Sequence, residues 1–228
     1  MTYRRYGIYD TPPAGALADF GANWLGWELT NGKPRSHPLI ADLPAPIADI
    51  TARPRKYGLH GTIKPPFFLA PDTDEQGLRA ALAELCETLT PVRLDGLVLS
   101  QIGRFLALKV EGDQTPLADL ASTVVQSLDH FRAPPSEAEL ARRRKSSLSP
   151  RQDALLTQWG YPYVMDEFRF HITLTGPMSQ DHCAQTRAAL TPHIAPLLPA
   201  PFDVDSLTLV GEDASGMFHE IHRYALSG

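Results

Sequence analysis

The chain has 228 residues, with 21 Lys and Arg against 26 Asp and Glu, for a formal net charge of −5. Hydrophobic residues at 43% and charged residues at 21% form a globular rather than a disordered composition. The acidic balance excludes wholesale binding of long nucleic acid, which needs an extended positive surface, while leaving room for a small anion in a locally basic cleft. No run approaches the roughly 18 apolar residues of a membrane span. The start MTYRRYGIYD has no apolar stretch behind its charges, so no secretory signal is expected. A cytoplasmic monomer with two reduced thiols, Cys86 and Cys183, is the expectation.

Residues 3–9 predict a first strand, closed by the turn-like DTPP. Residues 14–29 carry apolar groups at helical spacing, and 30–56, rich in Pro, Gly and Asp, predict a loop long enough to be packed or functional. Residues 57–63 alternate as a strand that should stop at Pro65 and Pro66. Asp72 or Asp74 can cap a helix to about 90, with Leu78, Leu82, Leu85 and Leu89 along one face. Strands follow at 92–99 and 104–110, then a helix at about 116–131. Ser136 and Glu139 have capping-box spacing at the head of another helix, whose basic run 142–145 lies on a solvated face or end or edges an anion cleft. Residues 151–160 continue in helix. Residues 168–175 predict a strand, 179–191 a helix stopped near Pro192, and 202–210 and 217–226 the last two strands.

Two segments match each other. His60-Gly61-Thr62-Ile63-Lys64-Pro65-Pro66 lies beside His171-Ile172-Thr173-Leu174-Thr175-Gly176-Pro177, both reading His-x-Thr-aliphatic-x-x-Pro. Each is followed by one helix and then by Asp95 in LDGLVL or Asp205 in VDSLTL. This spacing predicts a duplicated α+β unit, with motifs centred on 57–99 and 168–210, inside one bilobal domain over 1–228.

Residues i and i+2 of a strand share a face, so His60 sits with Thr62 and His171 with Thr173. Two imidazoles and two hydroxyls in one cleft suffice for phosphoester cleavage. A neutral histidine takes a proton from water, a protonated one gives a proton to the leaving alkoxide, and the hydroxyls bind non-bridging oxygens. A cyclic phosphodiester suits this set because its leaving oxygen stays tethered. Lys64, four past His60, and Arg169, two before His171, are the candidate phosphate-binding cations. Tyr57 and Tyr163 are candidate walls or donors, and one of Arg5 and Tyr6 should line the cleft. A lone His-x-Thr in a strand is usually structural; two at equivalent places in a repeat are not. No His, Asp, Glu or Cys cluster has zinc spacing, and the chain has neither a glycine-rich phosphate loop nor a nucleophile elbow. No metal and no cofactor are therefore expected.

The paired motifs resemble the signature of the 2H phosphoesterase superfamily. RYGIYDTPP, PRKYGLHGTIKPPF and FRFHITLTGP resemble one branch of it, bacterial proteins assigned to phosphonate metabolism and otherwise a domain of unknown function. The resemblance runs over essentially the whole chain. It implies a bilobal α+β fold with two antiparallel sheets around a central cleft and outer helices. It also implies catalytic His60 and His171, phosphate contacts from Thr62 and Thr173, no metal, and a ribose cyclic phosphate or similar small metabolite as substrate. The long segments 30–56 and 132–165 should shape the cleft rim. Two rivals stand beside this reading: a 2′,3′-cyclic or 2′-5′ phosphodiesterase of RNA ends, and a module that binds a phosphorylated metabolite without turning it over. Only an enzyme needs both histidines within reach of one phosphate.

Overall fold

The computed structural model describes residues 2–228. The fold is α+β. Strand β1 (Arg5–Asp10) leads to helix α1 (Ala16–Leu25), which ends on Gly26 in the left-handed conformation that glycine adopts freely. The predicted 30–56 loop holds a small hairpin begun just before it, β2 (Trp27–Glu28) and β3 (Lys33–Pro34), and one turn of helix, α2 (Ile47–Ile50). Strand β4 (Gly61–Phe67) is followed by α3 (Glu75–Thr88), whose N-cap is Asp74, accepting from Gly77 N at 2.7 Å. Then come β5 (Val92–Leu94), β6 (Gly96–Ile102), β7 (Phe105–Glu111) and α4 (Thr115–Ser127). Helix α5 (Glu137–Arg144) begins at the predicted cap, with Glu139 N donating to Ser136 Oγ at 3.2 Å. Helix α6 (Pro150–Trp159) has a full capping box of its own from Ser149 and Gln152. The chain closes with β8 (His171–Thr173), α7 (Gln180–Ile194), β9 (Phe202–Val204), β10 (Ser206–Glu212) and β11 (Phe218–Ala225).

Several boundaries differ from expectation: the 57–63 strand begins only at Gly61, after a 3-10 turn at Arg55–Tyr57, and the 168–175 strand shrinks to His171–Thr173. Strand β4 does not end at the prolines but runs through Pro65 and Pro66 to Phe67. It pairs with β8 only at Gly61, so its far end has a free edge, where a missing N–H costs no ladder bond. Helix α7 likewise continues two residues past Pro192.

The strands run β11-β10-β1-β4-β8-β7-β6, all antiparallel. The single pair Gly61–Ile172 joins β4 to β8, so the order divides into two antiparallel halves, β11-β10-β1-β4 and β8-β7-β6. Outward from that join each half reads in the same way: a histidine-motif strand (β4 or β8), the strand that precedes it in the sheet set (β1 or β7), then β10 or β6. The outer strands are exchanged. β6, which follows β4 in sequence, pairs with β7 beside β8, and β10, which follows β8, pairs with β1 beside β4. Strands β5 and β9 pair where the two connections cross, Val92 with Val204 and Leu94 with Phe202.

Helices α1, α3, α4 and α7 cover one face of this sheet. Trp24, Leu78, Leu82, Leu117, Val124 and Leu190 pack there against Ile8, Leu108, Ile172 and Leu209. The paired residues alternate in face along each ladder. With Ile8, Leu108 and Ile172 turned to the helices, Tyr9, Thr62, His171 and Thr173 turn to the other face. No helix among the described residues is long and apolar enough to cross a membrane.

Candidate active site

The two histidines are held by the same local device. His60 Nδ1 lies 3.0 Å from Gly58 O and His171 Nδ1 lies 2.9 Å from Arg169 O. A carbonyl oxygen only accepts, so each Nδ1 carries its proton and each Nε2 is the nitrogen left for chemistry. His60 Nε2 is 3.2 Å from Thr62 Oγ1. Extending the Gly61–Ile172 pair by one residue each way sets His60 opposite Thr173 and Thr62 opposite His171. The histidines then lie on a diagonal, for which ladder geometry gives roughly 7–8 Å.

The two rings sit in different surroundings. His60 stacks on Tyr9, with centroids 3.9 Å apart and planes at 25°, and Tyr57 lies 5.8 Å away at a tilt. Burial lowers the His60 imidazole to about 4, a fall opposed by the Gly58 hydrogen bond and deepened by the charge of His171. Among the described residues, the aromatic neighbour of His171 is Phe105, at 5.8 Å and 49°.

Tyr9 was missed in the sequence because nothing local marks it. It is wholly buried with Leu29, Val210 and Phe218, and its Oη has no hydrogen-bond partner among the described residues. Lys109 was missed for a similar reason. It is exposed and directly opposite His171 in the β7–β8 ladder, hence on the same face, but the sequence does not say that β7 neighbours β8.

The remaining predicted residues fall into two groups. Arg5 shares the histidine face with Tyr9, and its guanidinium forks onto Glu212 at 2.6 and 2.7 Å, 5.9 Å from the Phe218 ring. Tyr57 completes this wall, 5.0 Å from Phe218. Tyr6 lies on the opposite face, buried, and donates to Glu75 at 3.1 Å, so Arg5 is the member of that pair on the histidine side.

Lys64 is a correction. Tyr9 pairs with Thr62 and Ile8 with Lys64, so a bulge at Ile63 breaks the alternation and turns Lys64 to the helix face. There it is buried, with Nζ 3.0 Å from Val125 O and 3.6 Å from Asp129, and burial pushes its ammonium down to about 8 against the pull of Asp129. Arg169 is exposed and folds back onto the carbonyls of Phe168 and Asp166, outside strand β8. Its backbone carbonyl, rather than its side chain, meets His171. Tyr163 is exposed and edges Tyr161 at 5.7 Å.

Gly61 explains the first motif's middle position. A Cβ there would stand 2.2 Å from two ring atoms of buried Phe170. Gly61→Ala is expected to lose about 1–3 kcal/mol through overpacking, read as a lower denaturant midpoint with an unchanged slope. A midpoint equal to wild type would show that Phe170 yields freely.

Asp10, paired with Gly61 on the helix face, is buried, and its Oδ2 lacks a partner among the described residues. Burial raises its carboxyl to about 7; Arg223 opposes the rise and Asp205 adds to it. The folded state thus binds a proton that the unfolded state, titrating near 3.8, has released. Stability from this group is full below about 3.8 and is lost as pH rises through about 7. Asp10→Asn should gain on wild type progressively across that window, by about 4 kcal/mol at most. Parallel stability–pH curves for the two proteins would contradict this.

Comparison with known proteins places the chain as follows. It is 36% identical over 231 residues to "Ribose 1,5-bisphosphate phosphokinase PhnN" of Janthinobacterium sp. (strain Marseille), covering 98% of this chain and 51% of that protein. It is 32% identical over 220 residues to the protein of the same name from Laribacter hongkongensis (strain HLHK9), covering 93% and 49%. The chain therefore spans about half the length of the curated relatives it matches. Among solved structures it is similar to E. coli LigT complexed with 3′-AMP, at 15% identity, TM-score 0.44 and full coverage of both chains. It is similar to a crystal structure described as a phosphoesterase at 15% identity, TM-score 0.42 and 99% coverage of both. The family model described as "Protein of unknown function (DUF1045)" matches residues 62–219, and the chain belongs to that family.

Proposed function

We propose that this chain is a metal-independent phosphoesterase that opens a small cyclic phosphodiester, a ribose cyclic phosphate or a close analogue, by paired-histidine acid–base catalysis. The observation that carries this reading is the repeated tether. Both Nδ1 atoms are fixed by the carbonyl two residues upstream, so both Nε2 atoms are turned away from the backbone, His60 Nε2 accepting from Thr62 Oγ1 in the ligand-free protein. One imidazole accepts the proton of the attacking water and the other protonates the leaving ring oxygen. The Thr173 hydroxyl donates to a non-bridging oxygen, where charge builds up, and Thr62 does the same once the attacking water replaces it at His60 Nε2. Lys109 replaces Lys64 as the cation at the phosphate, because it stands beside His171. The same reading treats the chain as a duplicated unit in a single bilobal domain, since the strand order repeats outward from the join of β4 and β8.

The relatives' printed name concerns a ribose phosphate, which supports a sugar phosphate as the substrate class. Their kinase activity belongs, in this reading, to the half of those proteins that this chain does not span, since a glycine-rich phosphate loop is missing from its sequence. A terminal cyclic phosphate on RNA is the second reading. The net charge of −5 disfavours a long polyanion, though not its end.

The test is phosphorus NMR of ribose cyclic phosphates and 2′,3′-cyclic nucleotides incubated with the protein in excess chelator. Conversion to a phosphomonoester is expected, with the sugar phosphate preferred. Binding without turnover would favour the non-catalytic module, and turnover abolished by chelator would end the metal-independent mechanism.

A further inference from the structure

Resting on the acid–base reading above, we propose that Tyr9 divides the labour between the two histidines. Its ring, stacked on His60, keeps that imidazole as the proton acceptor and leaves His171 as the proton donor.

The two motifs are alike in sequence and in their Nδ1 tethers, so the difference between the rings has to come from what covers them. At the position facing Thr62 across its ladder, β1 supplies Tyr9; at the position facing Thr173, β7 supplies Ala107. The tyrosine is large enough to lie under His60 at 3.9 Å, and it is itself immobilised, fully buried among Leu29, Val210 and Phe218. Its ring reaches back over Gly7, whose missing side chain makes the space: a Cβ there would be 3.1 Å from the Tyr9 ring. Ala107 is too small to cover His171, and Phe105 stays 5.8 Å away.

A stacked, covered imidazole loses hydration, which disfavours its cation. The groups facing His60 are Tyr9 from β1, Tyr57 from the turn before it, Thr62 on its own strand and His171 across the join. None is an anion, and His171 when charged repels a second charge on His60. With one proton between two coupled imidazoles, the less covered ring holds it. Lys109 stands opposite His171 in the ladder, and a phosphate bound between them would be countercharge to both. A π-face that attracted the cation would act with the opposite sign, and the experiment reads that sign directly.

The step then balances. Water bonds to phosphorus as its proton passes to His60 Nε2. The bond from phosphorus to the ring oxygen breaks, and that oxygen takes the proton of His171 Nε2. The products are a phosphomonoester and a free hydroxyl, and solvent returns the proton from His60 to His171. Tyr9 touches no reacting atom and acts by positioning and covering the base.

The experiment is NMR titration of the ligand-free protein with isotopically labelled histidine, in wild type, Tyr9→Phe and Tyr9→Ala. pH–rate profiles on a cyclic phosphodiester accompany it. In wild type His60 should titrate near 4. Tyr9→Phe keeps the stack and should keep the low value. Tyr9→Ala admits water and should move His60, and the acid limb of the rate profile, up toward about 6.5. A full shift would reduce activity at pH 5 about thirtyfold. His60 titrating at or above His171 in wild type overturns the proposal without any variant having to fold. A downward shift in Tyr9→Ala also overturns it, because the ring face would then be stabilising the cation. The expected titrations with no turnover by wild type would sink the phosphoesterase reading instead.

Discussion

Replacing either His60 or His171 with alanine is expected to lower kcat on a cyclic phosphodiester by about 10²–10⁴-fold, the usual contribution of one positioned acid or base. The expectation rests on the shared tether. Because each Nδ1 is tied to a backbone carbonyl, each Nε2 is aimed by the fold and no neighbour can substitute for it. The double variant should lose little more than the worse single variant, since acid and base act in one transition state and their losses do not add. The variants should leave KM nearly unchanged where substrate binding depends on Thr62, Thr173 and Lys109. The check is steady-state kinetics with folding monitored by circular dichroism. Full activity in either single variant would remove the paired mechanism, and losses that multiply in the double variant would mean that the two histidines contribute independently rather than as a unit.

Trp24→Ala is expected to have the largest effect on stability, about 3–5 kcal/mol from the cavity alone. Trp24 is wholly buried in α1, and its indole Nε1 donates to Leu174 O at 2.8 Å. Leu174 directly follows Thr173, so this bond fastens the exit of β8 to a helix from the other end of the chain. Losing the donor leaves a buried carbonyl with one partner fewer, which adds about 1–3 kcal/mol. Trp24→Phe keeps most of the volume and should cost about 1–3 kcal/mol, mainly the hydrogen bond. Denaturant melts of the three proteins separate the two contributions. If alanine cost no more than phenylalanine, the core around α1 would have to collapse around the lost ring.

The exchange of outer strands shows why part of the site was hidden. Alternation and turn residues predict β6 and β7 as a hairpin, and they form one, from Gly96–Glu111 to Ile102–Phe105. That β7 then lies against β8, bringing Lys109 to His171, depends on pairing across more than sixty residues of sequence, which no local pattern encodes. Lys64 fails in the opposite way. Strict period-2 alternation puts it beside His60, but the bulge at Ile63 reverses its face, and the strand continues through prolines because its far edge is free. Arg169 fails because β8 is only three residues long, so a residue two before His171 lies outside the strand and its face rule.

What the sequence determined by itself was which residues share a face at two points. His60 with Thr62 and His171 with Thr173 could be named because each pair depends only on neighbours two residues apart, a spacing that local backbone geometry converts into a shared face. The α+β class, the Asp74 and Ser136 caps and most strands followed from equally local rules. The tertiary structure decided what surrounds the two imidazoles. Burial, stacking and cross-strand neighbours are set by which strands meet, and these put His60 against the Tyr9 ring and His171 opposite Lys109, both half-buried. Two motifs that read alike thus have different surroundings, and burial lowers the His60 imidazole, because desolvation depends on packing and packing is not a property of either motif alone.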